Sequence, residues 1–299
     1  MRNSIQPSLL NSNRFKRFKG RYFLVGCLLK QTQHGKPYWE MRLSDSATAV
    51  KIYCFDKGHF FSSFKANSLV YVEVCVKTHL GKPYLRCVYI EAVTQEPLIN
   101  NLDIRAIPSA LCPYPDLLKD TINLFDSIDN GNLKKFVSQT LLQTDIADRF
   151  INCPSKIGSK QSVENCLLSK TLQVADSLLK DKSVNIEYQD IVIAFAFVHE
   201  IGKVKKVTSD GTLSAIAYRA DLDDLTVEIC SLPLLQLSKK SEALSYQMRY
   251  LLTVGFTNKN GSFCEDKFHS CLQHLTECVG HHSPKLLHHH LHAVGQIKL

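Results

Sequence analysis

The sequence predicts a two-domain chain, an all-β barrel followed by an all-α helical domain. Three observations predict it. The first third carries five runs rich in β-branched and aromatic residues, separated by turn signals. A stretch with four prolines follows, and beyond it apolar residues recur at helical spacing. The charge changes at the same place. Residues 1–94 hold 15 of the 36 Lys and Arg and 5 of the 28 Asp and Glu, so this segment carries +10 and the remainder −2.

The five runs are "RYFLVGCLLKQ", "KPYWEMRLSD", "TAVKIYCF", "SLVYVEVCVK" and "KPYLRCVYIEAV". Short turns at His34-Gly35 and Leu80-Gly81 join the first pair and the last pair. "DKGHFFSSFKAN", between the third and fourth, has room for a short helix. That order is the order of an OB-fold barrel, whose binding face is flanked by the loops joining strands 1–2 and 4–5. The motif GKPY falls in both of those loops, at residues 35–38 and 81–84. Its Gly permits a tight turn, its Lys offers charge to a phosphate, its Pro stiffens the hairpin shoulder, and its Tyr offers a ring to a base. Read without the charge, GKPY is simply good hairpin chemistry used twice.

Strand alternation assigns the faces. Trp39, Met41 and Leu43 share one side of the second strand with the barrel interior, as do Val50, Ile52 and Cys54 in the third. Tyr38, Glu40 and Arg42, with Lys51, Tyr53 and Phe55, face outward. Together with Lys36, Lys82, Tyr84 and Arg86 the outward rings and cations form the candidate nucleic-acid-binding set, in which each stacked base contributes roughly 1–3 kcal/mol. The aromatic–basic run "NRFKRFKGRYF" reads either as an arm closing over nucleic acid or as a frayed tail leading into the first strand.

Length and composition exclude several classes. With 299 residues, 44% hydrophobic and 21% charged, the chain is long enough for two cores and is not a disordered polymer. No apolar run approaches the roughly 18 residues of a membrane span. The N-terminus lacks the apolar stretch of a secretory signal, which predicts a cytoplasmic protein. The eleven cysteines are irregularly spaced and form no CxxC pair, so they read as reduced small hydrophobes rather than as a disulfide frame or zinc ribbon.

The organisation expected is a binding barrel over 1–94 with its basic N-terminal arm, a linker over 95–118, a helical domain over 119–280 and a His-rich tail over 281–299. "ENCLLSKTLQVADSLLKD" puts Leu167, Leu168, Thr171, Leu172, Ala175, Leu178 and Leu179 on one stripe. "QDIVIAFAFVHEIGK" is apolar until His199 and predicts a buried helix. "LPLLQLSKKSEALSYQMRYLLTVGF" predicts two more, and "FCEDKFHSCLQHLTECV" places Phe268, Cys271, Leu272, Leu275 and Cys278 at helical spacing. Cys264, Cys271 and Cys278 recur every seven residues near His274, His281 and His282. Seven helical residues span about 10 Å, too far for two of these thiolates to share a zinc, so a buried seam is the better reading.

"FAFVHEIGKV" resembles the "LLHDIGKV" segment of HD-domain phosphohydrolases, and "RFINCPSKIGSKQSVENCLLSKTLQVA" resembles the first metal-ligand helix of that superfamily. An OB-fold followed by an HD domain is similar to the YhaM-type 3′–5′ exoribonucleases. The upstream segment is closer to the HD domains of relaxase-like proteins of integrating conjugative elements, so the resemblance implies a bacterial, mobile-element setting. It covers most of residues 15–255. Several of the family's metal ligands are not matched here. Lys170 stands for the first His, Ser159-Lys160 for the His pair, and His199-Glu200 for the His-Asp doublet; the distal Asp is one of Asp221, Asp223 and Asp224. An ammonium in place of an imidazole removes a ligand and repels a dication. Lys170 is therefore expected to pair with Glu200 where the metal would sit, and Lys203 to contact a phosphate or cap a helix.

Three functions follow. The first is a single-stranded DNA- or RNA-binding protein with a catalytically inactive HD-like domain as scaffold or partner-docking module, needing no metal or other cofactor. The second is a metal-dependent phosphohydrolase or 3′–5′ exonuclease. There His199, Glu200 and one of the three aspartates hold Mn²⁺ or another divalent ion, and Lys170 acts at the phosphate. The third is a protein-interaction module whose barrel face takes a peptide.

Overall fold

The computed structural model describes residues 6–56, 58, 66–93, 103–143, 145–156, 162–180, 188–208, 210–254, 267–268 and 270–271. Five strands appear in the predicted order: β1 (Arg17–Gln31), β2 (Pro37–Ser44), β3 (Ala49–Cys54), β4 (Ser68–His79) and β5 (Lys82–Ala92). They close into a barrel in the order β1-β2-β3-β5-β4, with β4 returning to β1. Among these five strands only the β3–β5 pairing is parallel. This is the OB-fold closure that the sequence predicts. The expected short helix between β3 and β4 falls largely outside the described residues.

Alternation sorts the barrel as expected. Met41, Leu43, Ile52 and Cys54 are buried inside with Leu24, Val70, Val72 and Val74, while Trp39 and Val50 pack half-buried at the margin of this core. The β4–β5 tip is a two-residue turn closed by the His79–Lys82 pair, with φ +47° at Leu80 and +75° at Gly81. Positive φ at both central residues is the type I′ geometry that matches strand twist. Glycine meets it freely, whereas Leu80 is held there against its side chain and is 89% exposed.

The aromatic–basic run is neither an arm nor a frayed tail. From Arg17 onward it is β1, which pairs with β4 from Arg17 opposite Cys75. Phe18 and Tyr22 enter the barrel core, and the Tyr22 hydroxyl donates to the Pro7 carbonyl at 2.7 Å. Ahead of it a 3-10 turn, Leu9–Arg14, is capped by Ser8 and tied to the barrel where the Leu9 amide donates to Asp45 at 2.7 Å.

The helices are α1 (Pro115–Asp126), α2 (Gly131–Leu141), α3 (Ala147–Asn152), α4 (Leu167–Lys180), α5 (Gln189–Val198), α6 (Lys203–Lys206), α7 (Leu222–Ser238) and α8 (Glu242–Val254). Every residue of α5 from Ile191 to Val198 is buried, so this helix is the centre of the domain. On α4 the stripe buries Leu167, Leu168, Thr171, Ala175 and Leu178; Leu172 and Leu179 stay half-buried, and Val174 joins the core. Phe268 and Cys271 are buried, whereas Cys264, Cys278 and the histidines near them lie outside the described residues. All nine described cysteines are free thiols. No helix among the described residues is long and apolar enough to cross a membrane.

One helix starts earlier than its sequence suggests. Pro233 fits a helix start, but α7 begins at Leu222 and carries Pro233 inside. An internal proline has no N–H for the carbonyl four residues back, here that of Ile229. Gln143 supplies the missing donor: its Nε2 lies 2.8 Å from the Ile229 oxygen. A Gln143→Leu variant leaves that carbonyl unpaired and is expected to lose about 1–3 kcal/mol of stability, read from the urea midpoint.

The two halves share a packed, hydrogen-bonded join. Phe23 and Leu69 of the barrel pack into the helical core with Ile104, Ala106 and Ile107. The Ser46 amide donates to Arg105 O at 2.8 Å, the Ser109 amide to Asp45 O at 2.9 Å, and the Ala110 amide to Ser44 Oγ at 3.2 Å.

Candidate nucleic-acid interface

Strand register brings the predicted outward residues together. Glu40 pairs with Tyr53 and Arg42 with Lys51 across β2–β3, and Tyr53 pairs with Arg86 across β3–β5. Four rings form a continuous chain on this face. Phe55 stacks on Tyr38 at 5.3 Å between centroids, Tyr38 meets Tyr53 at 6.1 Å, and Tyr53 meets Tyr84 at 6.2 Å. The Arg86 guanidinium lies 5.9 Å from the Phe55 centroid, a cation–π distance. The two GKPY tyrosines thus stand on either side of Tyr53. The two GKPY lysines, Lys36 and Lys82, are exposed at the tips beyond them.

Glu40 sets a carboxylate among these rings, and two ammonium groups answer it. Lys30 Nζ is 2.9 Å and Lys51 Nζ 3.7 Å from its oxygens. The hydrogen bond from Lys30 holds the Glu40 carboxyl below its ordinary value, and the same bond raises Lys30. With two cations on one anion the patch stays positive. Lys30 is the residue that sequence reasoning missed. It lies opposite Tyr38 across β1–β2, a relation set by the pairing of two strands rather than by alternation within one.

The second candidate site is not assembled as the resemblance implies. Glu200 is 2% exposed, and its partner is Lys203, not Lys170: Lys203 Nζ sits 2.8 Å from Glu200 Oε2 and donates to the Ser155 carbonyl at 2.6 Å. Lys203 is therefore neither a free phosphate contact nor a helix cap. His199 Nδ1 is 3.0 Å from the Ala196 carbonyl oxygen. Burial lowers the His199 pKa, with Glu200 opposing and Lys203 and Lys170 adding to the lowering. Asp221 is the N-cap residue of α7, and Asp223 and Asp224 lie in its first turn. Burial, then the neighbouring Asp224, raises the Asp223 carboxyl. Among the described residues no three His, Cys, Asp or Glu side chains gather as a metal-holding set. Ser159 and Lys160 lie outside the described residues. A carboxylate already neutralised by an ammonium, with a single imidazole beside it, does not supply the ligand set of a hydrolytic dication.

The "HEIGK" turn is tightly built. An ideal Cβ on Gly202 would fall 2.5 Å from the Leu222 carbonyl oxygen and 2.9 Å from the Thr226 amide nitrogen, so only glycine lets this turn lie against the start of α7. The Gly202 amide donates to Thr226 Oγ1 at 3.1 Å. The glycine of the motif is thus explained by packing.

No protein-family model matches the chain, and no curated protein matches it. Among solved structures the chain is similar to the mitochondrial single-stranded DNA binding protein of S. cerevisiae, at 13% identity and a TM-score of 0.24, over 26% of this chain and 94% of that one. It is also similar to the second OB-fold domain of replication protein A from Methanococcus maripaludis, at 12% identity and a TM-score of 0.22, over 32% and 95% of the two chains. A putative aspartyl-tRNA synthetase from Leishmania major Friedlin shares 14% identity at a TM-score of 0.27, over 81% of this chain and 55% of that one. At such scores these likenesses carry no argument about what the chain does. The OB-fold assignment rests on the strand order and closure described above.

Proposed function

We propose that the barrel binds single-stranded DNA or RNA across its β2–β3–β5 face. In this reading the helical domain is a non-catalytic scaffold, akin to a degenerate HD domain. One observation carries the reading: the ring chain Phe55–Tyr38–Tyr53–Tyr84, bordered by Lys36, Arg42, Lys51, Lys82 and Arg86. Unpaired bases present π-faces at every step and phosphates between them. A row of rings edged by cations answers both, without base-specific hydrogen bonds. A peptide offers no such regular alternation of rings and anions, so the interaction-module reading has no observation of its own.

The test is fluorescence anisotropy of labelled single-stranded oligonucleotides across a salt series. If all five cations meet phosphates, log K falls with log salt at a slope of about −3.5, roughly a 100-fold loss between about 50 and about 200 mM. Binding that ignores salt, or no binding at low salt, overturns the proposal. Oligonucleotides shortened in the presence of Mn²⁺ and intact with a chelator would restore the nuclease reading instead.

A further inference from the structure

The barrel face does not end at the barrel. At the Arg42 end of β2 a cleft of about 520 Å³ opens between the β2–β3 turn and α1. Arg42, Ser46 and Ala49 form one wall, and Ser109, Lys119 and Asn123 stand on the other. The volume is in the range of sites that hold small organic molecules, room for a nucleotide unit. Arg42 belongs both to the outward face, opposite Lys51, and to this cleft.

We infer that a bound strand continues past Arg42 into this cleft, and that Lys119 of α1 takes one of its phosphates. This inference rests on the proposed function. Three features support it. First, Arg42 and Lys119 are exposed and form no ion pair among the described residues, unlike Lys30 and Lys51. Against them the described lining of the cleft sets a single carboxylate, Asp116, so it stays positive. Second, α1 begins at the cleft with Pro115 at its first turn and no described side chain capping its start. Asp116 in that first turn already answers the positive end of the helix, so the phosphate contact falls to Lys119 in the next turn. Third, the cleft is preformed. The Ser109–Asp45, Ser46–Arg105 and Ala110–Ser44 hydrogen bonds fix its two walls, so a strand meets a built groove. The lining hydroxyls and the Asn123 amide add polar contacts suited to sugar and base edges. The helical domain then contributes directly to binding, a role that its sequence alone does not suggest.

The experiment is a length series of labelled single-stranded oligonucleotides, from about 4 to about 18 nucleotides, spanning what one OB barrel covers. It is run on the full chain, on Lys119→Glu, and on Lys239→Glu as a charge-matched control at an exposed site just past α7, outside the cleft. Lys119→Glu is expected to weaken binding of the longest oligonucleotide about tenfold and to reduce its salt slope by about one. The shortest oligonucleotide should bind both proteins alike, and Lys239→Glu should match the unaltered chain throughout. Equal affinity of Lys119→Glu and the unaltered chain at every length overturns the inference. So does an equal loss at every length, which would place Lys119 in the general field rather than on the strand. Failure of the unaltered chain to bind any length is a separate result, and it overturns the proposed function itself.

Discussion

A double substitution Tyr38→Ala/Tyr53→Ala is expected to weaken oligonucleotide binding by at least about 30-fold while leaving the barrel folded. Each ring offers one base a stacking partner worth about 1–3 kcal/mol, so losing two removes about 2–6 kcal/mol, a loss of about 30-fold to about 20,000-fold. Tyr53 alone should account for at least half, because among the described rings it is the one in contact with both GKPY tyrosines. Tyr53→Phe keeps the ring and should bind nearly as well as the unaltered chain. The comparison variant is Tyr89→Ala. Tyr89 meets Tyr71 at 6.2 Å outside the β2–β3–β5 ring chain, so it tests whether any exposed aromatic pair suffices. If Tyr89→Ala weakens binding and the double variant does not, the face has been misassigned. The folded state is checked independently by the urea midpoint, since Tyr38, Tyr53 and Phe55 lie outside the barrel core.

That this face is legible in the sequence, and the helical site is not, has a physical basis. The barrel strands alternate cleanly, and a period of two leaves little choice about which residues point out. Alternation alone therefore places Tyr38, Tyr53 and Phe55 on the outer side. What alternation cannot give is which outward residues become neighbours. The Tyr38–Phe55 stack and the Lys30–Glu40–Lys51 bridge depend on register between strands. The helical domain is harder for another reason. Glu200 is paired within its own turn, by the Lys203 ammonium three residues on, which also reaches the Ser155 carbonyl. The i,i+3 spacing of Glu200 and Lys203 is the signal, and the family pattern points to Lys170 instead. Likewise Pro233 reads as a helix start until Gln143 is seen to satisfy the carbonyl it leaves open.

The buried pair offers the sharpest test of the helical domain. Lys203→Met is expected to destabilise the protein by about 3–5 kcal/mol, the cost of leaving a buried carboxylate without its counter-charge. The ammonium also anchors the Ser155 carbonyl, so the variant should loosen the loop that leads to α4 as well. Replacing both partners, Glu200→Leu with Lys203→Met, removes the stranded charge. That double variant should recover most of the loss, because a buried ion pair can be exchanged for apolar packing at little net cost. A double-mutant cycle on urea midpoints separates these outcomes. If the double variant is as unstable as Lys203→Met, the pair is not the source of the loss and packing around the methionine is. The same proteins examine the metal question without an activity assay. A ligand that binds only the folded state raises the unfolding temperature. Mn²⁺ should leave the midpoint of the unaltered chain where it is, since Lys203 already holds the carboxylate. A Mn²⁺-dependent rise that disappears in His199→Ala would show a cation displacing Lys203 from Glu200, and the scaffold reading would fall with it.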